Sequence, residues 1–196
     1  MHPPRWSAAV PFLLVAACER GIPFVHANDL QRPAGERRDS TVSVHLVAER
    51  ARWRPVAEDG PWVDVEAFAE EGHAPSVPGP LVRVPPRGRI ALTLSNTLRD
   101  TLWVVGFGRR SPRMASDTLR VPPGATGVFD VQAPASGTYA YFGMTKGSGK
   151  PRIAGAGRQL VGVLQVGEPR PILARAQIST VRVHVLTEQR HFFDAW

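Results

Sequence analysis

The chain has 196 residues, 43% of them hydrophobic and 21% charged, with a formal net charge of +7. That balance excludes a disordered or fibrous chain and is long enough for one sandwich or barrel domain with a real core. The 19 prolines and 18 glycines alternate with Val/Leu-rich runs, which favours short strands and many turns and predicts an all-β class.

The first residues read as a processing signal. Arg5 precedes an apolar run over residues 8–17 (AAVPFLLVAA), which at about ten residues is too short to span a bilayer. Export is predicted, to the periplasm or as a membrane-anchored lipoprotein. Val15-Ala16-Ala17-Cys18 resembles a bacterial lipobox, and Val25-His26-Ala27 a small-residue signal-peptidase site. Residues 1–27 are assigned to the signal, with Cys18 as the lipidation candidate. The lone cysteine cannot form an internal disulfide, and lipid on it would tether the chain to a membrane surface. The alternative makes Cys18 a small apolar member of the run. Removing residues 1–27 takes away Arg5, Glu19 and Arg20 and lowers the net charge by one, so the exported part remains basic. Its arginines are scattered through strands and turns with no aromatic-basic motif, and no nucleic-acid partner is predicted.

Residues 28–40 (NDLQRPAGERRDS) read as a linker. Residues 41–48 (TVSVHLVA) alternate as a strand, with Val42, Val44 and Leu46 inward and Ser43 and His45 outward. A loop over 50–60 follows, anchored by Trp53, then a strand over 62–69 and a long Pro/Gly turn over 70–80. Further strands are predicted at 81–84, 89–96 (Ile90, Leu92 and Leu94 on one face), 101–105, 117–121, 127–132, 137–144 and 159–166. In 137–144 (GTYAYFGM), Tyr139 and Tyr141 share one face, and Ala140, Phe142 and Met144 the other. Roughly nine strands within about 125 residues fit a Greek-key sandwich over 41–167. Residues 168–196 read as a linker and one more strand, 180–186, with nothing downstream to pair with, as at the start of an incomplete second domain.

The order of segments resembles the first plastocyanin-like (cupredoxin) domain of the multicopper oxidases. The correspondence runs through Pro78-Gly79-Pro80 and its strand, the strand ending in Leu94-Ser95-Asn96, the segment Thr101 to Gly106, the turn Pro122-Pro123-Gly124, the segment Gly137 to Met144 and the strand Leu160 to Val166; residues 181–188 (VRVHVLTE) resemble the opening of a second such domain. The resemblance implies a cupredoxin-like Greek-key β-sandwich. In that family, two H-x-H pairs supply copper ligands at a domain interface. Trp103, Val105, Phe142 and Met144 stand at the matching positions, so no copper or other cofactor is expected in this chain, no catalytic residue is assigned, and the four positions form an apolar plug. The plug either fills the domain's own end or, as preferred, packs against a further cupredoxin domain in cis or in trans.

The remaining signals are weaker. Met144 and Met114 are read as packing, His45 and His184 as solvent-facing, and His73 as part of a polar turn beside Glu70 and Glu71; His191 cannot be placed. Residues 143–150 (GMTKGSGK) lack the spacing, the hydroxyl and the following helix of a phosphate loop, and no nucleophile elbow is present for a Ser/His/Asp hydrolase. Three functions follow: an exported structural or docking domain without copper ligands, the amino-terminal fragment of a copper-dependent oxidoreductase with its copper sites in further domains, or a basic module binding acidic surfaces through the loops 106–115 and 146–158.

Overall fold

The computed structural model describes residues 21–108, 118–145 and 159–167, together with the backbone of 183–186 and 192–195. Among the described residues the regular structure is two large sheets and a separate two-stranded one. The strands are β1 (His26–Ala27), β2 (Glu36–Arg38), β3 (Thr41–Trp53), β4 (Val63–Glu70), β5 (Ser76–Val77), β6 (Gly79–Val84), β7 (Arg89–Asn96), β8 (Leu102–Val105), β9 (Leu119–Val121), β10 (Thr126–Gln132), β11 (Gly137–Thr145), β12 (Val161–Val166), β13 (Val183–Leu186) and β14 (Phe192–Ala195). One sheet runs β1-β5-β4-β3-β7-β10 with β2 also on β3; the other runs β6-β12-β11-β8-β9.

The alternation in the sequence explains the core. Val42, Val44 and Leu46 of β3, Ile90, Leu92 and Leu94 of β7, and Phe68 of β4 face Val82 and Val84 of β6, Leu102 and Val104 of β8, Tyr141 of β11, and Leu164 and Val166 of β12 in one buried cluster. Each of these side chains leaves water almost completely, and the larger ones contribute roughly 1.5 to 3 kcal/mol apiece. Asn96 closes one end of the sandwich. Buried where β7 stops, it donates from Nδ2 to the carbonyls of Asp100, Val121 and Pro122, while its Oδ1 accepts from the Leu98 amide.

Three readings of the sequence are corrected. Residues 28–40 do not form a free linker: β2 pairs with the start of β3, Pro33 bridges Leu81, and Leu30 and Ala34 are buried. Pro and Gly in this stretch mark turns between short pairings rather than slack chain. Residues 50–53 belong to β3, which continues to Trp53 and pairs with β4 from Leu46 onward. The tail strand also has a partner, because β13 pairs antiparallel with β14, from Val183 opposite Ala195 to Leu186 opposite Phe192.

The long β3–β4 hairpin builds a second, smaller core on its opposite side. Ala51, Trp53, Val65, Ala67 and Val77 are buried there, with Val25 packed against them. Backbone bonds encircle it: β3 pairs with β4, Phe68 with Ser76, and β1 with β5, while the Val25 amide donates to the Arg52 carbonyl at 2.8 Å and the Arg52 amide to that of Pro23 at 2.8 Å. Residues 23–27, within the stretch assigned to the signal, thus close this ring.

Candidate functional site

The positions singled out in the sequence lie on β8 and β11, and the strand period sorts their neighbours. On β11, Tyr139, Tyr141, Gly143 and Thr145 point toward the core, and Ala140, Phe142 and Met144 away from it. On β8, Leu102 and Val104 are buried while Trp103 and Val105 are half-buried on the other face. The ladder sets Phe142 directly opposite Val105 and Met144 directly opposite Trp103. Side chains so placed are separated by about 4.5 to 5.5 Å at Cβ and meet as cross-strand pairs. The four residues therefore do converge, on the outer face of the five-stranded sheet.

That face has two halves. Phe142 also lies opposite Val161, and Ala140 opposite Val163. Val163 in turn lies opposite Leu81, and Leu30 covers both in a small buried cluster. The Trp103, Val105, Phe142 and Met144 half is only partly buried, with exposed Arg120 opposite Trp103.

The inner face holds the sheet in place. Tyr141 is fully buried, donates to the Pro80 carbonyl at 2.6 Å, stacks on Phe107 with centroids 4.5 Å apart, and meets Phe68 at 5.4 Å. Burial pushes its phenol well above the ordinary range, so it stays neutral. Gly162 leaves the room it needs, since a Cβ there would collide with the tyrosine ring. Gly106, at φ 104, ends β8 where a Cβ would strike the Ala140 carbonyl. At the end of β11, the Thr145 hydroxyl donates to Glu66 Oε2 at 2.9 Å, and burial raises the Glu66 carboxyl above its usual range despite that bond.

The donor chemistry of the outer-face quartet does not fit copper. Valine and phenylalanine have no donor atom, the indole is a hydrogen-bond donor only, and Met144 supplies a single thioether. Among the described residues no group of three or more His, Cys, Asp or Glu side chains could hold a metal ion. A depression of about 940 Å³ lies at the other end of β11, between Pro86-Arg87 and Gln132 to Ser136.

His45 corrects its solvent-facing assignment. It lies on the outward face of β3, but its Nδ1 is 2.7 Å from Glu71 Oε2 and its Nε2 is 2.8 Å from Ser95 Oγ, which is 2.8 Å from Thr126 Oγ1. Carboxylate, imidazole and hydroxyl stand in the order that activates a serine in hydrolases. The backbone argues for a clasp instead: the amides next to Ser95 are committed, Asn96 N to the Ala125 carbonyl and Thr97 N to that of Ala48, leaving no donors there for an oxyanion. Outward polar residues on β3 and β7 were visible in the sequence, but the parallel pairing that joins them was not. His73 sits in an exposed turn, its Nδ1 3.2 Å from the Glu71 carbonyl and 3.9 Å from Glu70 Oε2. Cys18, Met114, His191, residues 109–115 and the loop 146–158 lie outside the described residues, as does the side chain of His184.

Comparison with protein-family models finds no match, and comparison with curated proteins finds none. Solved structures do match. Lac15 from a marine microbial metagenome superposes with a TM-score of 0.50 at 22% identity, covering 65% of this chain and 33% of its own. A variant of the McoA multicopper oxidase from Aquifex aeolicus gives 0.51 at 16% identity, covering 76% and 30%. A blue copper oxidase from Nitrosomonas europaea gives 0.50 at 22% identity, covering 67% and 41%. At these identities the likeness establishes the fold, and the chain spans between 30% and 41% of the length of these proteins.

Proposed function

We propose, from the premise that this chain folds as the cupredoxin-like β-sandwich seen in multicopper oxidases, that it is an exported structural or docking domain in which apolar side chains have taken the place of copper ligands. The observation that carries the reading is the pairing of Phe142 with Val105 and Met144 with Trp103. These are the positions where the family resemblance expects imidazoles, and the two pairs share one half-buried face. In this reading the face meets a further cupredoxin domain, in cis or in trans, by burying apolar surface rather than by sharing a metal ion.

The full chain, loaded with copper and desalted, is expected to retain far less than one ion per chain; one or more tightly held ions sinks the proposal. A hydrophobic dye is expected to bind the native chain and to bind less to Trp103→Ser/Phe142→Ser. A strictly monomeric chain that binds no such dye removes the docking role and leaves a self-filled domain.

The length of the structural neighbours supports a second reading, in which these residues form the amino-terminal part of a copper-dependent oxidoreductase whose metal sites lie in further domains. An in-frame continuation of the gene carrying H-x-H and H-C-H segments decides for it. Export rests on Arg5 and the apolar run 8–17. The closed ring around Trp53 supports cleavage ahead of Cys18, since cleavage after Ala27 strips off the residues that complete it. Mass spectrometry of the mature chain distinguishes the two.

A further inference from the structure

Among the described residues six large apolar side chains are exposed, and five of them belong to one end of the molecule. Ile22, Phe24, Val56, Trp62 and Val63 lie on the far end of the β3–β4 hairpin and on the segment paired with it, whereas Val128 stands alone on β10. Phe24 bridges Arg52 and shares its face of the hairpin, whereas Val63, opposite Trp53, lies on the alternate face. Two guanidiniums lie over the exposed rings: Arg52 at 4.2 Å from the Trp62 centroid and Arg54 at 4.6 Å from that of Phe24.

The chemistry of this patch is specific. Asp64 pairs with Arg50 at 3.6 Å, and Glu58 and Asp59 follow Arg54 in the same loop, so the patch is close to electrically balanced. That disfavours a polyanion as its partner. Exposed indole and phenyl rings beside aliphatic side chains, with arginines whose apolar stems end in cations, match the headgroup layer of a bilayer, where aromatic rings settle and arginine heads reach phosphates.

Covalent geometry names the occupant. Four residue steps separate Cys18 from Ile22, a reach of at most about 14 Å. A lipid on Cys18 therefore holds Ile22 and Phe24 within a headgroup layer's distance of the membrane. We infer that the Ile22, Phe24, Val56 and Trp62 surface docks on the bilayer that carries the chain's own amino-terminal tether, which fixes the orientation of the sandwich instead of letting it swing. This rests on the export and tethering reading.

The test uses the full chain as produced, reconstituted in phosphatidylethanolamine/phosphatidylglycerol vesicles whose acyl chains carry bromine. Bromine is expected to quench part of the tryptophan emission. That part is lost in Trp62→Phe and reduced in Ile22→Ser/Phe24→Ser, while Val128→Ser keeps it. Circular dichroism establishes that these exposed-site variants fold. A chain that floats with the vesicles but shows the same quenching with and without Trp62 overturns the docking surface while the tether stands. A chain that does not float overturns both.

Discussion

The two faces of β11 carry side chains of similar size in opposite circumstances. Inward, Tyr141 is enclosed by Phe68 and Phe107, hydrogen-bonded to the Pro80 carbonyl and admitted only because residue 162 is glycine. Outward, Phe142 and Met144 are half-buried and face Val105 and Trp103 across a single ladder. The inner positions are bound by volume and by one polar group, so the fold dictates them. The outer positions ask of the fold only a side chain that tolerates partial burial, and that is where a sandwich of this kind can exchange one surface chemistry for another.

The contrast is broken most directly at Tyr141. Tyr141→Ala is expected to cost about 3 to 5 kcal/mol, read from urea denaturation, because it empties a fully enclosed site. Tyr141→Phe is expected to cost about 1 to 3 kcal/mol, since the Pro80 carbonyl loses its partner in a dry setting. Gly162→Ala should be severe in the native background and much milder alongside Tyr141→Leu; equal costs in both backgrounds would show that the ring and the glycine are not coupled.

On the outer face the expected losses are smaller. Trp103→Ser and Phe142→Ser should each cost about 1 kcal/mol, in keeping with side chains that are half-buried in the isolated chain. A cost near that of Tyr141→Ala would make this face part of the core and remove the distinction. His45→Ala, which frees Glu71 from its clasp with Ser95, is expected to cost about 1 kcal/mol as well, measured by the same denaturation.

Much of the fold was legible because it depends on period two. The inward triplets Val42, Val44, Leu46 and Ile90, Leu92, Leu94 declare a buried face without knowledge of their neighbours, and all six are buried. The convergence of Trp103, Val105, Phe142 and Met144 followed from the family resemblance and is realised as direct cross-strand pairs. What stayed hidden depends on which strands become neighbours. The His45 clasp requires β3 to lie beside β7 in parallel, a pairing that joins segments some fifty residues apart. The ring around Trp53 requires residues 23–27 to return to both β3 and β5, whereas the local pattern Val25-His26-Ala27 speaks only of a cleavage site. Register between distant strands is a property of the assembled sheet and leaves little trace in either strand alone.

The smallest expected effect lies where β11 ends, and it tests how far the inner face excludes water. Burial is the largest influence on Glu66 and raises its carboxyl above the ordinary range; the Thr145 hydroxyl acts the other way, with smaller contributions from Asp100 and Arg50. An acid whose folded value is raised binds its proton more tightly in the native state than in the unfolded one. The stability this provides is complete at pH values below the ordinary carboxylate range and is lost as pH rises through the folded value. Glu66→Gln keeps an acceptor for Thr145 and cannot ionise, so it should flatten that part of the stability profile and leave the protein at neutral pH as stable as the native chain or slightly more so. Chemical denaturation of both proteins between pH 4 and pH 7 measures the difference. An unchanged slope would mean that water reaches the carboxylate freely, and that the inner face of β11 is sealed only as far as Tyr141.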